Sequence, residues 1–518
     1  MATLLREHAE AKGAAPCLID DHGPTVSWAE FDQRVNRLVN GFRAAGLEPG
    51  DTLALIAGNR AEWYETALAC GHAGITYVPV NWHWVAEELA YVFDDAGVRG
   101  IVAGHRFADV TRDALAATDG LDLRVALVAG GAADDALDDY DEFVAAHSPD
   151  EPADQRLGGP MFYTSGTTGQ PKGVRGALSG ASDAGPEILS LVGASFAEFT
   201  PAHGRTLLCG PVYHSAQWAW SLLPMLNGSS TVMQHRFDAA AALELIDEHE
   251  VTNVHLVPTQ FKRMVDLPRV TRESFDGSSL QRVWHGAAPC PPEIKRQMIE
   301  WWGPVIWEYY GSTEGSVISW IDSEQWLERG GSVGRPVDTI EVIVVDDNGE
   351  QVGPGVEGTL YFRNLLGMDF EYHNAPDKTA AAHLEPGVFT TGDVGYLDDA
   401  GYLWLSDRKI DMVISGGVNI YPAEIEGVLN IHPAVADVAV IGVPDDEFGE
   451  SVKGVVQLQP GFEPGDALVS DLGRHCREHL AGYKAPRSYD FVAAIPRTGT
   501  GKIRKQILRE PYWGDRRI

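Results

Sequence analysis

Disulfide chemistry is nearly absent from this chain. Its five cysteines, Cys17, Cys70, Cys209, Cys290 and Cys476, are odd in number, scattered and without a Cys-x-x-Cys pair. That pattern predicts free thiols in a reducing, cytoplasmic setting and excludes a secreted disulfide framework. Basic charge is also short, with 40 Lys and Arg against 74 Asp and Glu and a formal net charge of −34. Nucleic acid and anionic membranes both select a basic face, so neither is expected as the main partner. Long apolar runs are missing as well. Residues 206–234 carry no Asp, Glu, Lys or Arg, but Pro211, His214, Gln217 and Pro224 interrupt them. The expectation there is a buried core segment lining a pocket, with no integral membrane span. The opening residues, MATLLREHAEAKGAAP, hold acids and no apolar core, unlike a signal peptide. Internal repeats and low-complexity tracts are absent.

What is present is a length of 518 residues, 44% of them hydrophobic and 22% charged. At roughly 100–200 residues per domain this means about three or four folding units, large enough to need no staple. The first 150 residues alternate strand and helix. DTLALIA (51–57) reads as a short apolar strand, AEWYETALACGHAG (61–74) has helical spacing, and ITYVPV (75–80) is strand again. That rhythm predicts βαβ units and a buried, largely parallel sheet. TNVHLVP (252–258) and LQRVWHGA (280–287) continue it, while DDALDDYDE (134–142) and the following SPDEPADQ read as a solvated connection. From about residue 332 the texture changes to short β-runs, such as TIEVIVVDDNGEQV, GTLYFRN and GYLDDAGYLWL, whose DNG and DAG turns predict hairpins. After DRKIDMV (407–413) another α/β unit follows. ADVAVIGV and KGVVQLQP read as its strands and SDLGRHCREHLAG as a helix. Charge divides the same way: residues 1–407 hold 59 acids and 26 bases, and residues 408–518 hold 15 and 14. A near-neutral unit against an acidic body is a plausible place to handle an anion.

The most informative segment is YTSGTTGQPKG (163–173), where a strand-like run enters a loop with three glycines, four hydroxyls and Lys172. Glycines let backbone N–H groups converge on a phosphate, hydroxyls donate hydrogen bonds, and lysine adds charge. It is not a Walker A loop, because no Gly-Lys-Ser/Thr occurs in it. Four further segments follow in order: WEYYGSTEG (307–315), TGD (391–393), DRKIDMVISGGVNIYP (407–422) and PRTGTGKIRK (496–505). Together with the first, they resemble the phosphate loop, the adenine and magnesium segment, the ribose motif, the hinge and the C-terminal lysine loop of the adenylate-forming superfamily. Acyl-CoA synthetases and AMP-dependent acid–CoA ligases are members of that superfamily.

The resemblance implies an α/β fold. A large N-terminal adenylation domain (1–407) would combine βαβ sheets with a small β-barrel-like region. A small mobile α+β cap (408–518) would carry the catalytic lysine. It implies ATP, Mg²⁺ and CoA, and an apolar fatty, aryl or alicyclic acid activated as acyl-AMP. It would place the protein in fatty acid or lipid metabolism in the cytoplasm, with a homodimer as one assembly to expect. By resemblance Lys502 is the lysine of adenylation, and Thr313 hydrogen-bonds the α-phosphate. Thr164, Ser165, Gly166, Thr167, Thr168, Gly169 and Lys172 form the phosphate loop. Glu314, with Thr168, suits magnesium, which prefers hard oxygen ligands. Tyr310 offers adenine an aromatic face, with Gly311 and Ser312 beside it, and Gly286, Ala287 and Ala288 let backbone approach the base. Asp393 accepts the ribose hydroxyls, and Arg408 reaches the ribose or phosphate. His214, Trp218 and His285 are the expected acid contacts; His214 replaces the Asp of amino-acid-activating relatives. Trp220 and Trp284 could belong to the same aromatic cluster or to the core.

Gly416 and Gly417 would line the pantetheine path. Two positions depart from the family pattern: Ile410 stands where the hinge usually has Lys or Asp, and His83 where some CoA-using relatives have Arg. Lys484 in the basic tail could compensate for the latter. Three competing readings follow. GGSVG (330–334) matches the G-x-S-x-G of serine hydrolases around Ser332, but β-type sequence follows instead of the required helix. A non-catalytic relative would be expected to lack Lys502 or Glu314. An acyl-AMP ligase serving a carrier protein or another nucleophile is the alternative among enzymes.

Overall fold

A computed structural model describes residues 2–164, 171–176, 199–201, 203–346, 348–408, 411–415, 418–445, 448–498 and 502–513. Among these residues the strands form five sheets. One is the parallel sheet expected near the N-terminus, in the order Thr76–Pro79, Thr52–Ile56, Val98–Gly104, Val125–Ala129, Asp138–Asp139. The largest has nine strands, with a parallel centre running Pro16–Asp20, Ser230–Met233, Arg205–Leu208, Asn253–Leu256, Arg282–His285 and Ile306–Ser312. Helices and aromatic side chains cover both of its faces, which is why its central strands read as apolar runs without alternation.

Helices form where apolar residues recur at helical spacing and a cap is available. In Trp28–Ala44, residues Trp28, Phe31, Val35, Leu38, Val39 and Phe42 face the core, and the Ser27 side chain accepts from the Glu30 N–H. Residues 134–142 correct the expectation of a solvated connection. They supply the edge strand Asp138–Asp139 and the start of the helix Tyr140–Ala145, with Leu137 and Tyr140 buried. The acids misled because only two apolar side chains, set among six carboxylates, face inward. The Tyr140 hydroxyl donates to Glu65, a buried carboxylate paired with Arg34 at 2.7 Å.

A six-stranded antiparallel sheet follows, packed around Leu360, Phe362, Phe389 and Leu403. The DAG turn joins Asp393–Leu397 to Leu403–Arg408 as a hairpin, and Asp346 and Glu350 close the DNG turn. The final sheet is built from Val413–Ser415, Val418–Ile420, Val435–Asp445, Gly449–Leu458 and Ser488–Val492, and it shares no strand with the others. Helices Pro422–Asn430, Asp466–His479 and Lys505–Trp513 belong to this unit. The chain is thus a large N-terminal α/β body followed by a smaller C-terminal unit. Among the described residues, no helix is long and apolar enough to cross a membrane.

Candidate active site

The glycine-rich segment is framed by a hairpin in which Thr164 pairs with Lys172. Ser165, Gly166, Thr167, Thr168 and Gly169 lie outside the described residues, as do Gly416, Gly417 and Ile410. The Lys172 amine sits 5.2 Å from the centre of the Tyr372 ring, and the Tyr372 hydroxyl donates to Glu314 Oε1 at 3.1 Å. Burial pulls the Lys172 pKa below its ordinary value and Lys378 adds to this, while Glu314 opposes it. Lys172 and Glu314 therefore meet around Tyr372, a residue that no sequence motif singled out.

Glu314 and Thr313 occupy the turn between Ile306–Ser312 and the antiparallel strand Ser316–Ile321. Gly311 is required there: a Cβ on it would come within 2.0 Å of the Ser316 carbonyl oxygen. The Ser312 hydroxyl accepts from the Gly315 N–H at 2.9 Å, and Thr313 Oγ1 lies 3.1 Å from Ser215 Oγ. The Tyr310 hydroxyl donates to Asp393 Oδ2 at 2.6 Å, and Thr391 donates to the same oxygen. The residues expected at adenine and at ribose are thus joined directly. Asp393 is also the register partner of Arg408 across the Asp393–Leu397/Leu403–Arg408 hairpin.

Gly286, Ala287 and Ala288 follow the strand Arg282–His285 at the same edge of the large sheet. A Cβ on Gly286 would come 2.6 Å from the Tyr309 ring, and Ala287 holds the left-handed φ of +66°. A non-glycine residue at positive φ carries strain that surrounding structure must hold in place.

His214 caps the helix Ser215–Leu226, its Nδ1 accepting from the Ala216 N–H at 3.3 Å. Burial pushes its pKa down to about 3, and the positive charge of Lys502 adds to that shift. Lys502, from the C-terminal unit, therefore stands within electrostatic range of His214. Its own loop is closed by the Thr498 N–H donating to the Lys502 carbonyl at 2.7 Å.

Trp218 lies one turn below His214 on the same helix face. It is buried against Phe162 and donates from Nε1 to the Tyr77 hydroxyl at 2.7 Å. Trp220 stacks on Trp284 with centroids 4.5 Å apart, inside the core that also holds Phe199 and Tyr309.

Two expectations change. His285 does not join the acid contacts, because alternation along Arg282–His285 turns Trp284 towards Trp220 and His285 towards Phe261, on the opposite face of the sheet. Lys484 is engaged by Glu424 at 2.6 Å, so its charge is already matched. His83 is exposed, with the Trp82 Nε1 donating to it at 3.2 Å. Ser332 is fully buried and its hydroxyl donates to the Leu403 carbonyl at 2.9 Å, which does not suit a nucleophile. Of the residues sequence reasoning missed, Tyr372 and Ser215 carry no local signal; each matters only through a partner 58 or 98 positions away.

A family model of AMP-binding enzymes matches residues 5–368, and a model of the AMP-binding enzyme C-terminal domain matches 424–502. The chain is 36% identical over 495 residues to a feruloyl-CoA synthase of an Amycolatopsis species, covering 95% of each chain. It is 32% identical over 515 residues to the fatty acid–[acyl-carrier-protein] ligase ScoC of Streptomyces coeruleorubidus, covering 98% of this chain and 95% of that one. Among solved structures, the amide bond synthetase McbA of Marinactinospora thermotolerans superposes with a TM-score of 0.84 at 27% identity, covering 99% of both chains. The o-succinylbenzoate CoA synthetase of Bacillus subtilis, in complex with its acyl-adenylate, gives 0.81 at 27% over 97% of both. With two family models matched in order and relatives aligned over nearly its whole length, the chain belongs to the AMP-binding enzymes of the adenylate-forming superfamily.

Proposed function

We propose that this protein is an ATP-dependent acyl-CoA synthetase. It activates an apolar fatty, aryl or alicyclic carboxylic acid as acyl-AMP with release of pyrophosphate, then transfers the acyl group to CoA with release of AMP. The observation that carries this reading is the direct bond of Tyr310 to Asp393 beside Thr313 and Glu314, with Lys502 within electrostatic range of His214. Joining a carboxylate to an anionic α-phosphate requires cations and fixed dipoles where charge develops. Lys502 would offset that charge and Thr313 would donate to the α-phosphate. Lys172 and the 164–169 loop would hold the outer phosphates.

Gly286, Ala287, Ala288, Gly311 and Ser312 would border the base beside Tyr310. Asp393 would take the ribose hydroxyls with Arg408 alongside. Neutral His214 and Trp218 would line the acid site without presenting a charge that competes for the carboxylate. Mg²⁺ would neutralise phosphate charge, held by Glu314 and Thr168; a carboxylate whose second oxygen remains to offer fits its hard-oxygen preference. Gly416 and Gly417 would border the pantetheine path. The division at 407/408 would fall at the end of the last strand of the antiparallel sheet, before the final residue of Leu403–Arg408. A cytoplasmic location fits five free cysteines, four of them buried. A homodimer is the assembly to test by light scattering.

A second reading, transfer of the acyl group to a carrier protein or an amine, is favoured by two observations. His83 stands exposed where some CoA users carry Arg, and Lys484 is occupied by Glu424. A panel of fatty, aryl and bulky alicyclic acids, scored for AMP formation with and without CoA, separates the two. CoA-independent turnover with an added nucleophile would favour the second. Lys502→Ala is expected to lower pyrophosphate release about a hundredfold or more while sparing thioester formation from supplied acyl-AMP. Equal loss of both half-reactions contradicts the role given to Lys502.

A further inference from the structure

Behind the nucleotide edge, on the helix-covered face of the large sheet, lies an ion pair that no step above uses. Lys295 is fully buried, and its Nζ donates to Glu308 Oε2 at 2.6 Å. The ammonium also stands 4.6 Å from the centre of the Trp326 ring. Fully buried His285 is the third member, its Nε2 3.7 Å from the same carboxylate oxygen and neither ring nitrogen hydrogen-bonded. A buried lysine with one carboxylate partner is costly to desolvate, and hydrophobic residues of similar volume would often serve stability as well or better. Its position in the chain suggests what it does instead.

His285 ends the strand that leads into 286–291, and Lys295 stands in the first turn of the helix Pro292–Trp302, which those residues enter. Glu308 lies on the neighbouring strand, in register with His285 and two residues before Tyr310. The Lys295–Glu308 bond therefore closes a loop: strand, residues 286–291, helix start, and back across to the next strand. The segment it spans contains Gly286, packed against Tyr309, and Ala287 at φ +66°. A backbone strained in this way persists only where its ends are held.

We infer that Lys295 is a positioning residue that, through Glu308, sets the span of residues 286–291 and so their fit to the nucleotide base. This rests on the reading of that edge as the ATP site. Acid contacts come from the other face, at His214 and Trp218, so the effect is selective for nucleotide.

The test is pyrophosphate exchange by the full-length protein with MgATP and a turned-over acid, comparing the unsubstituted chain with Lys295→Met. The KM for ATP is expected to rise roughly tenfold, as for a small displacement of a binding backbone. The KM for the acid should change by less than about twofold, on the same principle that distant contacts are left in place. A purely stabilising role would lower the folded fraction, and with it kcat, leaving both KM values alone; that outcome overturns the inference. Should Lys295→Met fail to fold, Glu308→Gln keeps the shape and removes the charge. A raised KM for ATP alone supports the inference there too, and an unchanged one overturns it. Absence of ATP-dependent exchange in the unsubstituted chain with every acid overturns the nucleotide-site reading, and the inference with it.

Discussion

Four histidines, His72, His214, His255 and His285, are held neutral by burial, two of them with pKa values pushed down to about 3. An unfolded imidazole takes up a proton below about pH 6.5. Between that value and about 3 the unfolded chain therefore binds more protons than the fold, and stability falls as the pH falls. His72 shows the cost most plainly, since neither of its ring nitrogens has a hydrogen-bond partner. His72→Leu is expected to raise stability by about 1 kcal/mol at pH 7, because two unsatisfied buried atoms are removed. The gain should be larger at pH 5, where the protonation linkage is also removed. Urea denaturation at both pH values checks this, and equal destabilisation at both contradicts it. For His214 the same shift leaves a neutral imidazole across the physiological range, which on the proposed reading would face the acid as a polar but uncharged cap.

At the scale of elements, the N-terminal turn of the helix Ser215–Leu226 carries two tasks. His214 caps it at the reacting edge, and Trp218, one turn on, fills the space beneath with its indole N–H tied to Tyr77. Trp218→Ala would leave a cavity and a buried phenol without its donor, at a cost of about 3–5 kcal/mol. The same cavity should admit bulkier acids. The ratio of kcat/KM for an alicyclic acid to that for a small aryl acid is expected to rise, and an unchanged ratio would show that Trp218 is core alone. Element types were legible in the sequence because periodicity and glycine punctuation act locally. The strand Thr52–Ile56 and the helix Ala61–Ala73 fall inside the segments expected for them. Which face of a strand meets the substrate was not legible: Trp284 and His285 are adjacent and both aromatic, yet they pack into different layers.

The whole molecule joins an acidic N-terminal body to a near-neutral C-terminal unit, and one contact runs between the two. The Tyr421 hydroxyl, near the end of the hinge segment, donates to Glu357 in the body, which also accepts from Ser406. This contact belongs to the arrangement in which Lys502 is near His214. Tyr421→Phe is expected to slow the adenylation half-reaction about fivefold, the loss of roughly 1 kcal/mol from one exposed charge-assisted bond. Thioester formation from supplied acyl-AMP should be little affected. Equal slowing of both half-reactions, measured by pyrophosphate release and AMP release, would argue against a contact specific to one arrangement.

The sequence by itself determined the alternation of strands and helices along the chain, the five motifs, and the charge division between body and C-terminal unit. All of these are written in neighbouring residues or in sums over the chain. Only the tertiary structure decided that Tyr310 and Asp393 share a hydrogen bond, that Lys484 is matched by Glu424, that His285 belongs behind the sheet, and that Lys295 and Glu308 bracket residues 286–291. Each of these depends on which groups meet after the sheets pack. A buried charge or phenol takes whatever partner the fold brings within about 3 Å, and distance in sequence has no bearing on that choice.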